Sequence, residues 1–307
     1  MDFIAFMNLL AFKSIRELAI EYQEKLEKTN KSDIPKIGIL SGFEGLDAIT
    51  KGFKPGDLIL IGGEKGMGKT SFAISLIAKM AIENKIPTAF FPLQIDANQI
   101  LTNIISQQTK ITLEKLRLND LNENEIKLIS EKLENLNDCE LHISEYPFRT
   151  IAEFEQELDC HPHDFAQVLI IDSLQLIGKS KKDKTGKVLN KKEITQITYR
   201  LKKIAEKFNV VVIALFDLKV DCDKYNCGRP SLRQVRKQAP IDAFADLVLL
   251  LYRPEYYKIE YWDNDENDPS NGQALIIIAK NKYNCFNDRD IRIKFDGKIG
   301  GFENLKK

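Results

Sequence analysis

The sequence predicts an α/β fold with a mostly parallel central sheet that helices flank. One observation is that short apolar runs alternate with helical patterns along the chain. The other is that these runs are apolar throughout, which is typical of strands covered on both faces. In chain order the predicted strands are Leu58–Ile61, Thr88–Leu93, Val168–Ile171, Val210–Leu215, Leu247–Leu251 and Ala274–Ala279.

Composition and charge indicate a globular chain and exclude several functional classes. With 307 residues and 43% hydrophobic side chains, the chain can bury one large core or two modest ones. The 45 basic and 45 acidic residues cancel, so nucleic-acid binding would need local charge clusters. No apolar run is long enough for a membrane span, and Phe3–Phe12 lacks the flanks of a signal peptide, so we expect a cytoplasmic protein without a membrane partner. Five scattered cysteines do not indicate a disulfide framework.

The chain divides into an N-terminal segment, 1–34, and a larger domain, 35–307. The N-terminal segment predicts one amphipathic helix followed by a polar linker at 28–33. Such a helix has to bury its apolar stripe, and either its own domain or a neighbouring subunit could cover it. The stripe consists of Ile15, Leu18, Ala19, Tyr22 and Leu26.

Residues 63–70 match the phosphate-loop pattern G-x-x-x-x-G-K-[ST] between a predicted strand and a predicted helix, Phe72–Glu83. The glycines let backbone amides point at phosphate oxygens, and the start of the helix adds partial positive charge. Lys69 would reach the β- and γ-phosphates, and Thr70 would offer its hydroxyl to Mg²⁺. The predicted nucleotide-binding residues here are Gly63, Glu64, Lys65, Gly66, Met67, Gly68, Lys69, Thr70 and Ser71.

A carboxylate at the end of another buried strand completes the predicted magnesium site. Asp172 follows the apolar run Val168–Ile171, where it can orient the water on the metal beside Thr70. The stretch 160–163, Cys-His-Pro-His, also brings potential metal ligands together. No second ligand pair follows at zinc spacing, so a polar loop is the favoured interpretation there.

Six motifs occur in order along the chain: Ser41–Asp47, Gly52–Leu58, the phosphate loop, Ile171–Ile177, Leu251–Tyr257 and Ile278–Lys282. Together they resemble the RecA-like C-terminal motor domain of DnaB-type replicative DNA helicases, a P-loop NTPase fold. The resemblance covers roughly residues 35–302 and implies a hexameric ring with ATP at subunit interfaces and single-stranded DNA in the central channel.

The resemblance also assigns roles to individual residues. Lys69 and Thr70 match the phosphate-loop pair, Asp172 the magnesium carboxylate, and Arg253 lies in a motif of the nucleotide site. Lys280 and Lys282 match basic residues that reach across the interface onto the γ-phosphate of a neighbour. The family's N-terminal collar domain has no counterpart in this sequence, and the helix at 15–26 takes the place of the linker helix that docks on the adjacent subunit. A separate collar, primase or loader protein is therefore a candidate partner.

The sequence departs from the family at three positions where chemistry takes place. Gln94 stands in place of the glutamate that acts as general base, and an amide can orient a water but cannot take its proton. Asp217 replaces the glutamine that senses the γ-phosphate, and Lys282 replaces an arginine with its two-pronged fork. Either Asp217 and Gln94 have exchanged roles, as base and water-positioning amide, or an unused site has decayed. Asp96 is a weaker candidate base.

These departures leave two functions open. The favoured function is an ATP-dependent helicase or translocase motor that acts on single-stranded DNA in replication, and the alternative is a nucleotide-gated adaptor or assembly protein that binds DNA without useful hydrolysis. A strand-exchange ATPase is disfavoured because Tyr252–Tyr257 resembles the helicases.

Two basic stretches are predicted to face single-stranded DNA. The lysine segment, 179–192, follows the Asp172 strand, and the arginine segment, 219–236, follows the strand that ends near Asp217. Aromatic residues are almost absent, so contacts with DNA would be mainly electrostatic. A solvated charged surface is the alternative. The predicted DNA-binding residues are Lys179, Lys181, Lys182, Lys184, Lys187, Arg229 and Arg233.

Overall fold

The computed structural model describes residues 14–20, 23, 38–145, 150–162, 164–178, 189–220, 228–262, 265–283 and 289–305. The chain forms two compact units, Met1–Ile37 and Gly38–Lys307, and each is described by itself. None of the described helices is both long and apolar enough to cross a membrane.

In the first unit, residues 15–20 and 23 are helical. A capping box starts this helix, because the Ser14 hydroxyl accepts a hydrogen bond from the Glu17 amide while the Glu17 carboxylate accepts one from the Ser14 amide. Ile15, Leu18 and Ile20 are exposed within the described residues. The predicted apolar positions at Tyr22 and Leu26 lie outside those residues.

The second unit is built on a nine-stranded sheet in the order β3-β2-β4-β5-β1-β6-β7-β8-β9. The first six strands in that order pair in parallel, and β7, β8 and β9 continue the sheet antiparallel. The fold prediction of a mostly parallel sheet is confirmed. The strands are β1 Leu58–Gly63, β2 Thr88–Pro92, β3 Leu141–Ile143, β4 Val168–Asp172, β5 Val211–Asp217, β6 Leu247–Tyr252, β7 Gln273–Asn281, β8 Arg289–Asp296 and β9 Gly301–Asn304.

Helices cover both faces of this sheet. In β1, Leu58 and Leu60 pack on one face, and Ile59 and Ile61 pack on the other, so the strand is buried on both sides. Within the described part of the second unit, the α-helices are α1 Glu44–Thr50, α2 Lys69–Ile77, α3 Ala97–Thr109, α4 Leu113–Leu118, α5 Glu123–Leu136, α6 Ile151–Asp159, α7 Lys191–Phe208 and α8 Leu232–Gln238.

The helix predicted at Phe72–Glu83, with its N-terminus near Lys69, is found, but its second half is not an α-helix. It starts as α2 directly after Gly68, and from Ala78 to Glu83 it continues as a π-helix. A π-helix is wider than an α-helix and is rare at this length. The start at Lys69 places the amide groups of the first turn next to the phosphate loop.

The parallel strands end together at one edge of the sheet, which we call the carboxyl edge. Gly63 at the end of β1 is paired with Asp217 at the end of β5, and Pro92 at the end of β2 is paired with Asp172 at the end of β4. Loops that follow parallel strands meet at such an edge, and ligands bind there in open α/β sheets. The opposite edge, where these strands begin, is called the amino edge below.

Candidate nucleotide-binding site

Two glycines shape the phosphate loop between β1 and α2. Gly66 and Gly68 have φ angles of 91° and 88°, a region that side chains rarely adopt. A Cβ atom on Gly66 would lie 3.0 Å from the ring of Tyr256, and one on Gly68 would lie 3.1 Å from the ring of Phe302. The positive φ angles therefore favour glycine at both positions, and a side chain there would also require the two rings to shift slightly.

Lys69 is folded into the loop that it follows. Its ammonium group donates hydrogen bonds to the carbonyl oxygens of Gly63 and Glu64, at 3.1 and 3.0 Å. It also pairs with the carboxylate of Asp217 at 2.9 Å, and its side chain is only 8% exposed. The ammonium group is thus held inside the phosphate loop, with a carboxylate as its anionic partner.

Thr70 and Asp172 are in direct contact. The Thr70 hydroxyl donates to Asp172 Oδ2 at 2.5 Å. Burial raises the pKa of Asp172, although the hydrogen bond from Thr70 and the charge of Lys69 act in the opposite direction. A hydroxyl and a carboxylate together offer the hard oxygen ligands that Mg²⁺ prefers, so the donor set fits the predicted metal.

No group of three or more His, Cys, Asp or Glu residues lies close enough to hold a metal ion in the described part of the chain. Mg²⁺ needs no such group, because it keeps several waters and takes further oxygens from phosphates. In the Cys-His-Pro-His stretch, Cys160 is exposed and the His161 ring stacks on Phe165 at 4.0 Å. His163 lies outside the described residues.

Asp217 lies at the carboxyl edge, as predicted. The side chains of two glutamines form hydrogen bonds with its backbone. The Gln175 side chain donates to the Asp217 carbonyl oxygen at 2.9 Å and accepts from its amide at 3.1 Å. Gln238 donates to the same carbonyl oxygen at 2.8 Å. The Asp217 side chain is 45% exposed. Sequence reasoning missed these two glutamines, because each lies many residues away from its partner.

Gln94 lies beyond the end of β2 and is exposed. It lines a cavity of about 390 Å³ with Asp96 and Glu145, among other residues. Asp96 caps α3, since its side chain accepts a hydrogen bond from the Gln99 amide at 2.8 Å. Asp96, which the sequence offers as a weaker candidate base, therefore has a structural role as the N-cap of α3.

Arg253 and Tyr257 both contact the phosphate loop. Arg253 donates to the Gly66 carbonyl oxygen at 3.2 Å, and its guanidinium centre lies 3.8 Å from the centroid of the Phe295 ring. The Tyr257 hydroxyl donates to the carboxylate of Glu64. These contacts place Arg253 beside the phosphate loop, and its part in nucleotide binding stays a prediction.

Lys280 and Lys282 lie at the amino edge, away from this site. Asn281 is paired with Leu247 at the start of β6, and Leu247 is paired with Ile59 of β1. From Ile59 to Gly63 the strand rises by roughly 13 Å, which is longer than a lysine side chain. Neither lysine can reach the phosphate loop of its own subunit.

The two lysines have different partners at the amino edge. Lys282 pairs with Asp246 at 2.7 Å, and this hydrogen bond raises the pKa of the lysine. Lys280 donates to the carbonyl oxygens of Asp242 and Ala245, at 2.6 and 2.7 Å, and burial lowers its pKa. Lys282, with 54% of its side chain exposed, is the more accessible cation of the two.

Asp246 is the buried centre of this second cluster. Its side chain is 4% exposed, and it accepts hydrogen bonds from Lys202 at 2.7 Å and from the Leu58 amide at 2.8 Å, besides the one from Lys282. Burial alone would raise its pKa, but the hydrogen bonds from the two lysines lower it overall. Asp246 therefore stays ionised and anchors both cations.

The structure describes only some of the predicted DNA-binding residues. Arg229 pairs with the carboxylate of Asp290 on β8, and Arg233 is exposed on α8. The five predicted lysines lie outside the described residues: Lys179, Lys181, Lys182, Lys184 and Lys187.

The fold and the site together define a RecA-like P-loop nucleotide-binding domain. Residues 38–304 match the family model described as DnaB-like helicase C terminal domain, and the chain belongs to that family. The predicted resemblance is therefore confirmed over nearly the whole of the second unit.

Individual relatives agree with this assignment. The chain is 32% identical over 280 residues to "Probable replicative DNA helicase" of Trieres chinensis, which covers 90% of this chain and 60% of that protein. It is 27% identical over 276 residues to "Replicative DNA helicase DnaC" of Bacillus subtilis (strain 168), covering 90% and 59%. A solved structure of an ATPase domain superposes with a TM-score of 0.77 at 25% identity, over 96% of this chain and 100% of that one. The chain thus spans about three-fifths of the length of these curated relatives.

Proposed function

We propose that this chain is a replicative helicase motor that binds ATP with Mg²⁺, hydrolyses ATP and moves along single-stranded DNA. The observation that carries the proposal is the cluster at the carboxyl edge, where Lys69 lies inside the phosphate loop and Thr70 contacts Asp172. A plain turn would not need a buried lysine held by two loop carbonyls. The names of the two relatives, both replicative DNA helicases, point in the same direction.

Thr70 and Asp172 would hold the magnesium ion, directly or through its waters. When bound, the ion supplies positive charge that neutralises the phosphate oxygens. Asp172 has to be ionised for this purpose, and the nearby charge of Lys69 favours that form.

Asp217 is the proposed general base. Phosphate oxygens would replace its carboxylate on the Lys69 ammonium group, because the lysine is buried and the half-exposed carboxylate can move away. The released carboxylate would remain at the carboxyl edge, where it could take a proton from the attacking water. The exposed amide of Gln94 would orient that water.

A ring of subunits, a hexamer as in the family, would complete the site. Lys282 cannot reach its own phosphate loop but is accessible at the amino edge, so it is suited to the γ-phosphate of a neighbour. Lys280 would add a second positive charge near that phosphate.

The exposed helix at 15–20 would dock on an adjacent subunit, and a separate collar, primase or loader protein would bind the ring. The lysine and arginine segments would contact the DNA, in the cytoplasm.

Steady-state ATP hydrolysis at low salt, with and without single-stranded DNA, tests the proposal. Lys69→Ala provides the background from contaminating ATPases. We expect turnover that DNA stimulates and that the Lys69 variant lacks. Turnover at the level of the Lys69 variant under both conditions would contradict a motor.

The second candidate function is a nucleotide-gated adaptor or assembly protein that binds DNA without useful hydrolysis. Gln94 favours it, because no proton acceptor stands where the family has its base. In that case ATP would bind tightly to the wild type while turnover stayed at background. Substituting Gln94→Glu would then raise turnover, whereas an exchanged pair with Asp217 as base gains nothing from it.

A further inference from the structure

We infer that Gln175 and Gln238 are positioning residues that connect the two predicted DNA-facing segments to the phosphate side of the nucleotide site through the backbone of Asp217. The inference rests on the proposed function and deepens it. It concerns how nucleotide and DNA are coupled within one subunit.

The two glutamines converge on one peptide carbonyl. Gln175 Nε2 and Gln238 Nε2 both donate to the Asp217 carbonyl oxygen, at 2.9 and 2.8 Å. Gln175 Oε1 also accepts from the Asp217 amide at 3.1 Å, which makes its contact two-pronged. A carbonyl oxygen has two lone pairs, so these donors saturate it.

Gln175 places this contact at the start of the lysine segment. It belongs to the 3-10 turn Leu174–Leu176, directly after the magnesium carboxylate Asp172. Only two residues separate this turn from position 179, where the predicted lysines begin. A displacement of the Asp217 backbone would therefore act on the chain that leads into the lysine segment.

Gln238 connects Asp217 to the arginine segment. It is the last residue of α8, which carries Arg233, and its Oε1 accepts a hydrogen bond from the Lys219 amide at 3.0 Å. Lys219 begins the segment, and Gln238 lies two residues beyond its end at position 236, so one side chain connects both ends of the arginine segment to Asp217.

The side chain of Asp217 is left out of these hydrogen bonds. Its carboxylate pairs with Lys69 instead, which is the group that a phosphate would take over. Phosphate binding would thus change the forces on Asp217, while the glutamines transmit any movement of its backbone to both segments. Coupling of this kind is reciprocal, so DNA binding would change nucleotide affinity by the same factor.

The test uses Gln175→Met and Gln238→Met in the full chain, because methionine is similar in length and cannot donate a hydrogen bond to the Asp217 carbonyl oxygen. Gln234→Met on α8 is the matched control, since within the described residues the side-chain hydrogen bonds of Gln234 join Ser231 at the start of α8 and not Asp217. Binding of a labelled oligothymidylate is measured by fluorescence anisotropy, with and without a non-hydrolysable ATP analogue and Mg²⁺.

We expect the wild type and Gln234→Met to show a change in DNA affinity of about fivefold or more on adding the analogue. In Gln175→Met and Gln238→Met this ratio should fall close to one, while the affinity for the analogue itself stays within about twofold. Loss of analogue binding is a separate readout that would reveal a merely structural defect and overturn the inference.

Two outcomes separate the inference from the function on which it rests. A wild type that binds the analogue but shows no DNA binding contradicts the proposed motor, and the coupling with it. A wild type whose coupling survives in both methionine variants, or is lost equally in Gln234→Met, overturns the role of the glutamines and leaves the motor standing.

Discussion

The two edges of the sheet carry lysine–carboxylate pairs with opposite burial. At the carboxyl edge Lys69 is 8% exposed and Asp217 is 45% exposed, whereas at the amino edge Lys282 is 54% exposed and Asp246 is 4% exposed. The separations are similar, 2.9 and 2.7 Å. In one pair the cation is buried, and in the other the anion is.

The buried member of each pair determines what the pair can do. A buried charge has to keep a partner, because removing that partner leaves it without compensation in a low-dielectric site. Without Asp217, Lys69 keeps the carbonyl oxygens of Gly63 and Glu64, which carry no net charge, so it favours another anion such as a phosphate in place of the carboxylate. Asp246 can release Lys282 because Lys202 and the Leu58 amide still compensate it. One edge accepts an anion, and the other offers a cation.

The largest expected effect comes from removing the buried cation. Lys69→Ala should lower ATP turnover by about 100-fold or more, since it removes a preorganised charge at the transferred phosphoryl group. Steady-state hydrolysis measures this, and Lys127→Ala on the exposed side of α5 is the surface control. Turnover within about threefold of the wild type would mean that Lys69 is not at the reacting phosphate.

The exposed anion of the same pair is expected to act in catalysis. Asp217→Asn keeps the shape but removes the proton acceptor, so turnover should fall by about 100-fold. Affinity for ATP should be unchanged or higher, because the carboxylate no longer competes for Lys69. Equilibrium binding and single-turnover hydrolysis separate the two effects. Unchanged turnover would end the hypothesis of exchanged roles for Asp217 and Gln94.

At the amino edge the two lysines should differ in their effect on stability. Lys202→Met should lower the free energy of unfolding by about 1–3 kcal/mol, because Lys202 is mostly buried against Asp246 and the Gly56 carbonyl. Lys282→Met should cost less than about 1 kcal/mol, because its side chain is half exposed. Urea denaturation of both variants gives the comparison. Equal losses would show that Lys282 is needed to compensate Asp246.

Asp172 and Asp246 should affect the pH dependence of stability in opposite ways. Both are buried, but only Asp246 has two lysines bonded to it. Burial raises the pKa of Asp172, so the native state opposes its ionisation. The stability tied to its protonated form is present at low pH and is lost as pH rises through that raised pKa. In metal-free protein, Asp172→Asn should therefore gain in stability relative to the wild type as pH rises above the ordinary aspartate range.

Stability changes with pH in the opposite direction for Asp246, because the pKa of this carboxyl is lowered overall. Its contribution to stability is present above the ordinary aspartate pKa and is lost as pH falls through the lowered value. Urea denaturation across a pH series measures both groups. A constant difference between Asp172→Asn and the wild type at all pH values would contradict the raised pKa of Asp172.

The sequence predicts the carboxyl edge much better than the amino edge. All six predicted runs are strands, because a strand that is buried on both faces has apolar residues at successive positions. Strand β8 alternates between buried and exposed residues, such as Ile291 and Arg292, and β3 has only three residues, so neither gives that signal. The motifs that contain Lys69, Thr70 and Asp172 each follow a buried strand, so their place in the chain is enough to predict that they meet.

Other contacts depend on geometry that no local pattern encodes. The pairing of Lys282 with Asp246 needs the antiparallel register of β6 and β7, which includes a shift between Val248 and Leu249. The contacts of Gln175 and Gln238 with Asp217 join residues 42 and 21 positions apart, and a glutamine gives no signal of its backbone partner. These parts of the site could be found only in three dimensions.

Mixing two inactive variants tests most directly whether the two edges form one site between neighbouring subunits. Lys69→Ala lacks the cation in the phosphate loop, and Lys282→Ala lacks the cation offered to the neighbour. In a mixed ring, about a quarter of the interfaces would combine an intact loop with an intact Lys282. ATP hydrolysis well above the sum of the separate variants is the expected result. Hydrolysis equal to that sum, in mixtures shown to share rings, would contradict a site shared across the interface.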